Sequence, residues 1–168
     1  MTQRLDYQSH AQAGMKALGG VHHYVATCGL PKSLIDLVYL RASQINGCAY
    51  CIATHSHDLM VEGVASEKLL LLSSWRETGT WFSARERAAL AWTEAVTLVA
   101  STHVPDDVFA TAREAFSEKE LADLTLAVGL INAYNRVAIS FRHGPAEPST
   151  SHPTVALHVA HASSSNTA

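Results

Sequence analysis

The stretch Gln44-Ile45-Asn46-Gly47-Cys48-Ala49-Tyr50-Cys51-Ile52-Ala53-Thr54-His55-Ser56-His57-Asp58 (QINGCAYCIATHSHD) decides how this chain reads. Asn46-Gly47 is a left-handed helix stop, so Cys48 falls in the first turn of a new helix. At about 100° per residue, Cys51 lies roughly 60° from Cys48 around the axis and His55 roughly 20°. The three groups share one face, and His57 falls on the opposite, solvated face. A helix N-terminus offers unpaired amides and partial positive charge, which favour a thiolate over a thiol. Cys51 and His55 are one turn apart, so the imidazole can lower the thiol's pKa and take its proton. Cys48 is the natural resolving thiol, able to condense with a sulfenic acid on Cys51.

Upstream, apolar residues at Leu34, Val38, Ala42 and Ile45 mark one face of a helix from Pro31 to Asn46. Asp36 interrupts that helix between Ile35 and Leu37, where little polar face is available. It is either an exposed residue or a carboxylate aimed at the dithiol, exchanging protons with Cys48 or orienting an imidazole. Glu94 poses the same question with less support and reads as structural.

Helical signals continue downstream, and no alternating strand pattern emerges. The helix after Gly47 runs from about Cys48 to Val61 and is ended by Gly63. Ser66 opens a short helix through Leu72, and Pro105 starts one through about Phe116. Ser83-Ala84-Arg85-Glu86 and Ser117-Glu118-Lys119-Glu120 are capping boxes before two longer helices. The last helix is apolar nearly all round, which places it centrally or in a subunit interface. Asn132, Asn135 and Arg136 within it read as groups satisfying a helix junction or dimer contact. The fold class is all-α, a helical domain over residues 1–143. From Gly144 to 168 the composition turns to Pro, Ser, Thr and His, which reads as a mobile tail.

The 168 residues suffice for one domain with a hydrophobic core, and 48% of them are hydrophobic. Such apolar content suggests surface buried between subunits as well as in folding. A net charge of −3 provides no basic field for nucleic acid or an anionic membrane. The polar N-terminus shows no secretory signal, and Asn132, Asn135 and Arg136 interrupt the longest apolar run. The expected location is cytoplasmic, where a Cys-x-x-Cys pair is redox-active or metal-bound rather than a structural disulfide. Cys28, the third cysteine, reads as a buried small hydrophobe. No phosphate-binding glycine loop, haem motif or flavin motif is present, so no cofactor is expected.

The segment LIDLVYLRASQINGCAYCIATHSHD resembles the core of the alkylhydroperoxidase AhpD-like proteins, in the carboxymuconolactone decarboxylase superfamily. SSWRETGTWFSARERAALAWTEAVT and FSEKELADLTLAVGLINAYNRVAISFR resemble the rest of that domain, so the likeness spans roughly residues 4 to 142. It implies an all-helical protein assembling into dimers, trimers or hexamers and reducing hydroperoxides with a thiol or lipoyl-type external reductant. It assigns Cys51 as peroxidatic cysteine, Cys48 as resolving cysteine and His55 to a proton relay. The family's relay also uses a glutamate twelve residues before the first cysteine. Asp36 stands there, one methylene shorter, so a glutamate restored at this position should raise activity if the aspartate is strained to reach. Tyr50 stands where some relatives place a histidine, and it is no base at neutral pH.

Three other readings fit the same residues. Cys48, Cys51 and His55 could be zinc ligands with an open fourth position. The dithiol could serve as a non-enzymatic redox sensor or disulfide-exchange module. The superfamily's lactone decarboxylases share the fold but lack the cysteine pair, which argues against their reaction here.

Overall fold

The computed structural model describes residues 2–145, and all the regular structure among them is helical. The elements are α1 (Tyr7–His10), α2 (Gln12–Thr27), α3 (Lys32–Asn46), α4 (Ala49–Val61) and α5 (Ser66–Leu71). Two 3₁₀ segments, Leu72–Glu77 and Gly79–Trp81, lead to α6 (Ala84–Thr97), α7 (Val99–Thr102), α8 (Asp106–Ala115) and α9 (Glu118–Phe141). From residue 146 on, the expected tail lies outside the described residues.

The middle of the fold is α3, which packs against α4, α6 and α9. Leu34 to Leu40 are seven consecutive buried residues, more than a single apolar face can supply, so this helix is enclosed on several sides. One core cluster joins Val38 and Ala42 to Ala89 of α6 and Leu124, Val128 and Ile131 of α9. A second lies on the other side of α3, where Leu37 and Leu40 meet Leu59, Leu72, Trp75, Phe82 and Leu90. By length and composition α9 is apolar enough to cross a membrane. Here its buried face packs on α2, α3, α6 and α8.

Local signals fix the helix ends. Gly47 adopts φ 72°, a left-handed conformation that costs glycine little, and so stops α3. Ser83 and Glu86 form a reciprocal capping box on α6, and Ser117 and Glu120 form one on α9.

The sequence signals do not announce α1 and α2. Gly14, Gly19 and Gly20 lower the helix propensity of α2, each by about 1 kcal/mol relative to alanine. Only Val25 of this helix is fully buried. Docking on α9, rather than intrinsic propensity, accounts for its place in the fold.

Candidate active site

The turn from α3 into α4 places the dithiol. Gly47 reverses the chain, and the Cys48 amide bonds the Ser43 carbonyl at 3.0 Å. Cys48 becomes the N-cap of α4, a position usually held by an oxygen side chain. Its sulfur accepts the Cys51 backbone N–H at 3.4 Å. The two Sγ atoms lie 2.7 Å apart, and both side chains are buried.

This arrangement divides charge unequally. The Cys48 thiol is pulled down to about 6, chiefly by the hydrogen bond from Cys51. Burial opposes that shift, while the Cys51 amide, Asn135 and His55, when it is protonated, assist it. Cys51 is pushed strongly upward, because it supplies the shared proton and because it is buried. In the resting dithiol the charge therefore sits on Cys48 and the proton on Cys51. The one-turn spacing to His55 suggested instead a lowered pKa at Cys51. The helix cap outweighs it, because among the described residues His55 makes no hydrogen bond to either sulfur.

His55 is held from the other side. Its Nδ1 lies 3.1 Å from Asp36 Oδ1, and its ring packs on Tyr39 at a centroid distance of 4.9 Å. Asp36 orients the imidazole and makes no bond to Cys48. Burial raises the Asp36 carboxyl, but His55 and Lys32 outweigh it and hold it below the usual aspartate value. Lys32 Nζ donates to Asp36 Oδ2 at 2.6 Å and also to Glu62. With its Nδ1 on the carboxylate, a neutral His55 leaves Nε2 free to accept a proton.

An apolar cavity of about 280 Å³ opens beside this pair. Cys51 and His55 line it, together with Tyr7, His22, Tyr39, Tyr50, Thr54, Ile131, Tyr134, Val137 and Ala138, whereas Cys48 does not. Tyr50 is partly exposed, and its ring meets His143 edge-on at 4.3 Å. His57 is exposed on the far face. Cys28 is half-buried against the core, its carbonyl accepting from Lys119. Glu94 is tied to Arg41, Trp75 and Arg76 and is structural.

The zinc triad does not assemble. Among the described residues, the potential ligand atoms that converge within 4.8 Å belong to Asp36, His55 and Asp58, not to the cysteines. Lys32 already neutralises Asp36 at that point.

Two buried polar residues complete the site without a motif to announce them. Ser43 on α3 and Asn135 on α9 are both fully enclosed and bonded to each other at 3.0 Å. Asn135 lowers the pKa of both thiols, and Ser43 lowers that of Cys51. The sequence pattern reads Asn135 as satisfying a helix junction or a dimer contact; in the structure it joins α9 to Ser43 and Asn46 of α3.

Fold and site together define an all-helical protein with a Cys-x-x-Cys dithiol at the start of a core helix. The chain belongs to the carboxymuconolactone decarboxylase family, whose model matches residues 10–95, and it is AhpD-like within that superfamily. It is 34% identical over 140 residues to the uncharacterised protein YdfG of Bacillus subtilis (strain 168), covering 83% of this chain and 95% of YdfG. The crystal structure of ATU0492 from Agrobacterium tumefaciens is similar at 39% identity and a TM-score of 0.83. It covers 87% of this chain and all of that one, and that protein, of unknown function, is provisionally assigned to AhpD-type antioxidant defence. A shorter likeness, 38% over 45 residues, links the chain to alkyl hydroperoxide reductase AhpD of Mycobacterium tuberculosis (strain ATCC 25618 / H37Rv), over 27% of this chain and 25% of that protein.

Proposed function

We propose that the protein is a thiol-dependent peroxidase that reduces hydroperoxides through the Cys48–Cys51 dithiol. The observation that carries this reading is the placement of Cys51 and His55 on one apolar cavity, with Cys48 in sulfur contact behind them. Hydroperoxide enters the cavity and His55 accepts the Cys51 proton. The resulting thiolate attacks the terminal peroxide oxygen, so an S–O bond forms as the O–O bond breaks. The departing alkoxide takes the proton from His55 and leaves as an alcohol. Cys51 is now a sulfenic acid.

Cys48 carries the resting charge and attacks the Cys51 sulfur. The S–S bond forms, the S–O bond breaks, and hydroxide leaves to be protonated to water. An external dithiol, a lipoyl-type or other thiol carrier in a cytoplasmic setting, reduces the disulfide by exchange. No bound cofactor is needed, and the working form is a homo-oligomer. Asp36 fixes the imidazole so that its free nitrogen serves the cavity, the role that a supporting carboxylate plays for a catalytic histidine.

Consumption of tert-butyl hydroperoxide by the reduced protein, with a dithiol recycling it, tests this reading. Turnover by the wild type and none by Cys51→Ser supports it. A wild type that oxidises once and never cycles makes the dithiol a sensor or exchange module instead.

A further inference from the structure

Among the described residues that line the cavity beside Cys51, Tyr7 alone comes from α1. His22 and Tyr50 are exposed and mark the mouth, whereas Tyr7, Tyr39 and Ile131 are buried walls. Helix α1 has four residues, too few to hold a wall by helical stability of its own. Long-range ties to the C-terminal end of α9 hold it instead. The Arg4 amide donates to the Phe141 carbonyl at 2.9 Å, and the Arg4 guanidinium donates to the Ser140 carbonyl at 3.2 Å. The Tyr7 ring stacks on Phe141 at a centroid distance of 5.7 Å and meets His143 edge-on at 5.8 Å.

The space left in front of this wall is limited. The cavity holds about 280 Å³, nearly twice the roughly 150 Å³ of an apolar cavity that accepts benzene. One aromatic ring with its substituents fits such a volume, and three rings do not. No Lys or Arg is among the described lining residues to pair with an anionic group. The rings of Tyr7, Tyr39, Tyr50 and Tyr134 offer aromatic faces instead.

We propose that Tyr7 is the specificity-determining wall of this cavity, limiting the organic group of a hydroperoxide to about one aromatic ring. The proposal rests on the reading of Cys51 as the attacked sulfur. A larger group would have to displace Tyr7, with its contacts to Phe141 and His143, before its peroxide oxygen reached Cys51. Alanine at this position extends the cavity, and tryptophan shortens it. The two changes therefore move selectivity in opposite directions, which a general loosening of the fold cannot do.

Selectivity is read in two ways in the wild type, Tyr7→Ala and Tyr7→Trp. The first is kcat/KM for triphenylmethyl, cumene and tert-butyl hydroperoxides, with dithiothreitol recycling the protein. The second needs no turnover. In a Cys28→Ser, Cys48→Ser background, where Cys51 is the single cysteine, N-(1-pyrenyl)maleimide and N-ethylmaleimide are compared for their rates of labelling. Tyr7→Ala should raise the triphenylmethyl-to-cumene and pyrenyl-to-ethyl ratios about tenfold or more. Tyr7→Trp should lower the cumene-to-tert-butyl and pyrenyl-to-ethyl ratios about threefold or more. Ratios that stay at wild-type values, or that move the same way in both variants, overturn the proposal. If Tyr7→Ala does not fold, Tyr7→Trp decides by its own expected fall. If the wild type reduces no hydroperoxide, the peroxidase reading falls, and the maleimide ratios still decide whether Tyr7 limits what reaches Cys51.

Discussion

Cys48 and Cys51 touch sulfur to sulfur at 2.7 Å, yet only Cys51 lines the cavity. Cys48, away from the cavity, holds the negative charge, and Cys51, which lines it, holds the proton. In the proposed reaction, attack on a substrate in the cavity and closure of the disulfide therefore fall to different sulfurs.

A titration follows from that division. In a Cys28→Ser background the reduced protein should show one thiolate by 240 nm absorbance, forming near pH 6, where Cys48 titrates. The second should not form until well above the ordinary cysteine range. Two thiolates appearing together near pH 8 or 9 would contradict the shared-proton arrangement.

The same shifts set the stability of the reduced form against pH. Cys48 falls from 9.0 to about 6 on folding, so its contribution is lost as pH drops through 6 and grows between 6 and 9. Above 9 the unfolded chain sheds the Cys51 proton that the fold retains, and stability declines again. The reduced protein's Tm should therefore rise from pH 6 to 8 and fall above 9. The disulfide form, in which neither Cys48 nor Cys51 can titrate, should lack this profile.

Asp36 already meets His55 at 3.1 Å and Lys32 at 2.6 Å, so the shorter carboxylate is not reaching for a distant partner. Asp36→Glu, which adds a methylene to a buried and fully bonded group, should lower kcat/KM rather than raise it. Asp36→Asn, which loses the charge that holds the imidazole, should cost about 10- to 100-fold. Steady-state kinetics with tert-butyl hydroperoxide decide both. A gain in Asp36→Glu would show that the aspartate is strained.

Core packing around α3 yields a stability prediction independent of the chemistry. Leu124→Ala, at a fully enclosed position between α9 and α3, should cost about 2–5 kcal/mol in urea unfolding. Ser117→Ala, which removes one half of a capping box, should cost about 1 kcal/mol. A larger cost for the cap than for the leucine would mean the packing is misassigned.

What the sequence made legible was what local chemistry controls. Pro31, Asn46-Gly47, Ser83 and Ser117 mark helix ends through backbone preferences, and the Cys48-Cys51-His55 spacing puts three groups on one face. The N-terminal α2 was not legible, because its glycines oppose a helix that docking on α9 supports. Nor was the role of Asn135, since its partners Ser43 and Asn46 lie about ninety positions away and only the packing of α3 on α9 joins them. Which sulfur carries the charge also needed three dimensions. Helix spacing pairs Cys51 with His55, whereas the N-cap geometry keeps the thiolate on Cys48 and Asp36 keeps the imidazole.

The most direct test is to find which sulfur receives the peroxide oxygen. Cys48→Ser and Cys51→Ser, each reduced and exposed to one equivalent of tert-butyl hydroperoxide, are trapped with dimedone and mapped by peptide mass spectrometry. The adduct should appear on Cys51 in Cys48→Ser, at one per chain and without further turnover, and Cys51→Ser should remain largely unmodified. An adduct on Cys48 in Cys51→Ser, formed as fast as wild-type oxidation, would contradict the assignment of the cavity-facing sulfur as the point of attack.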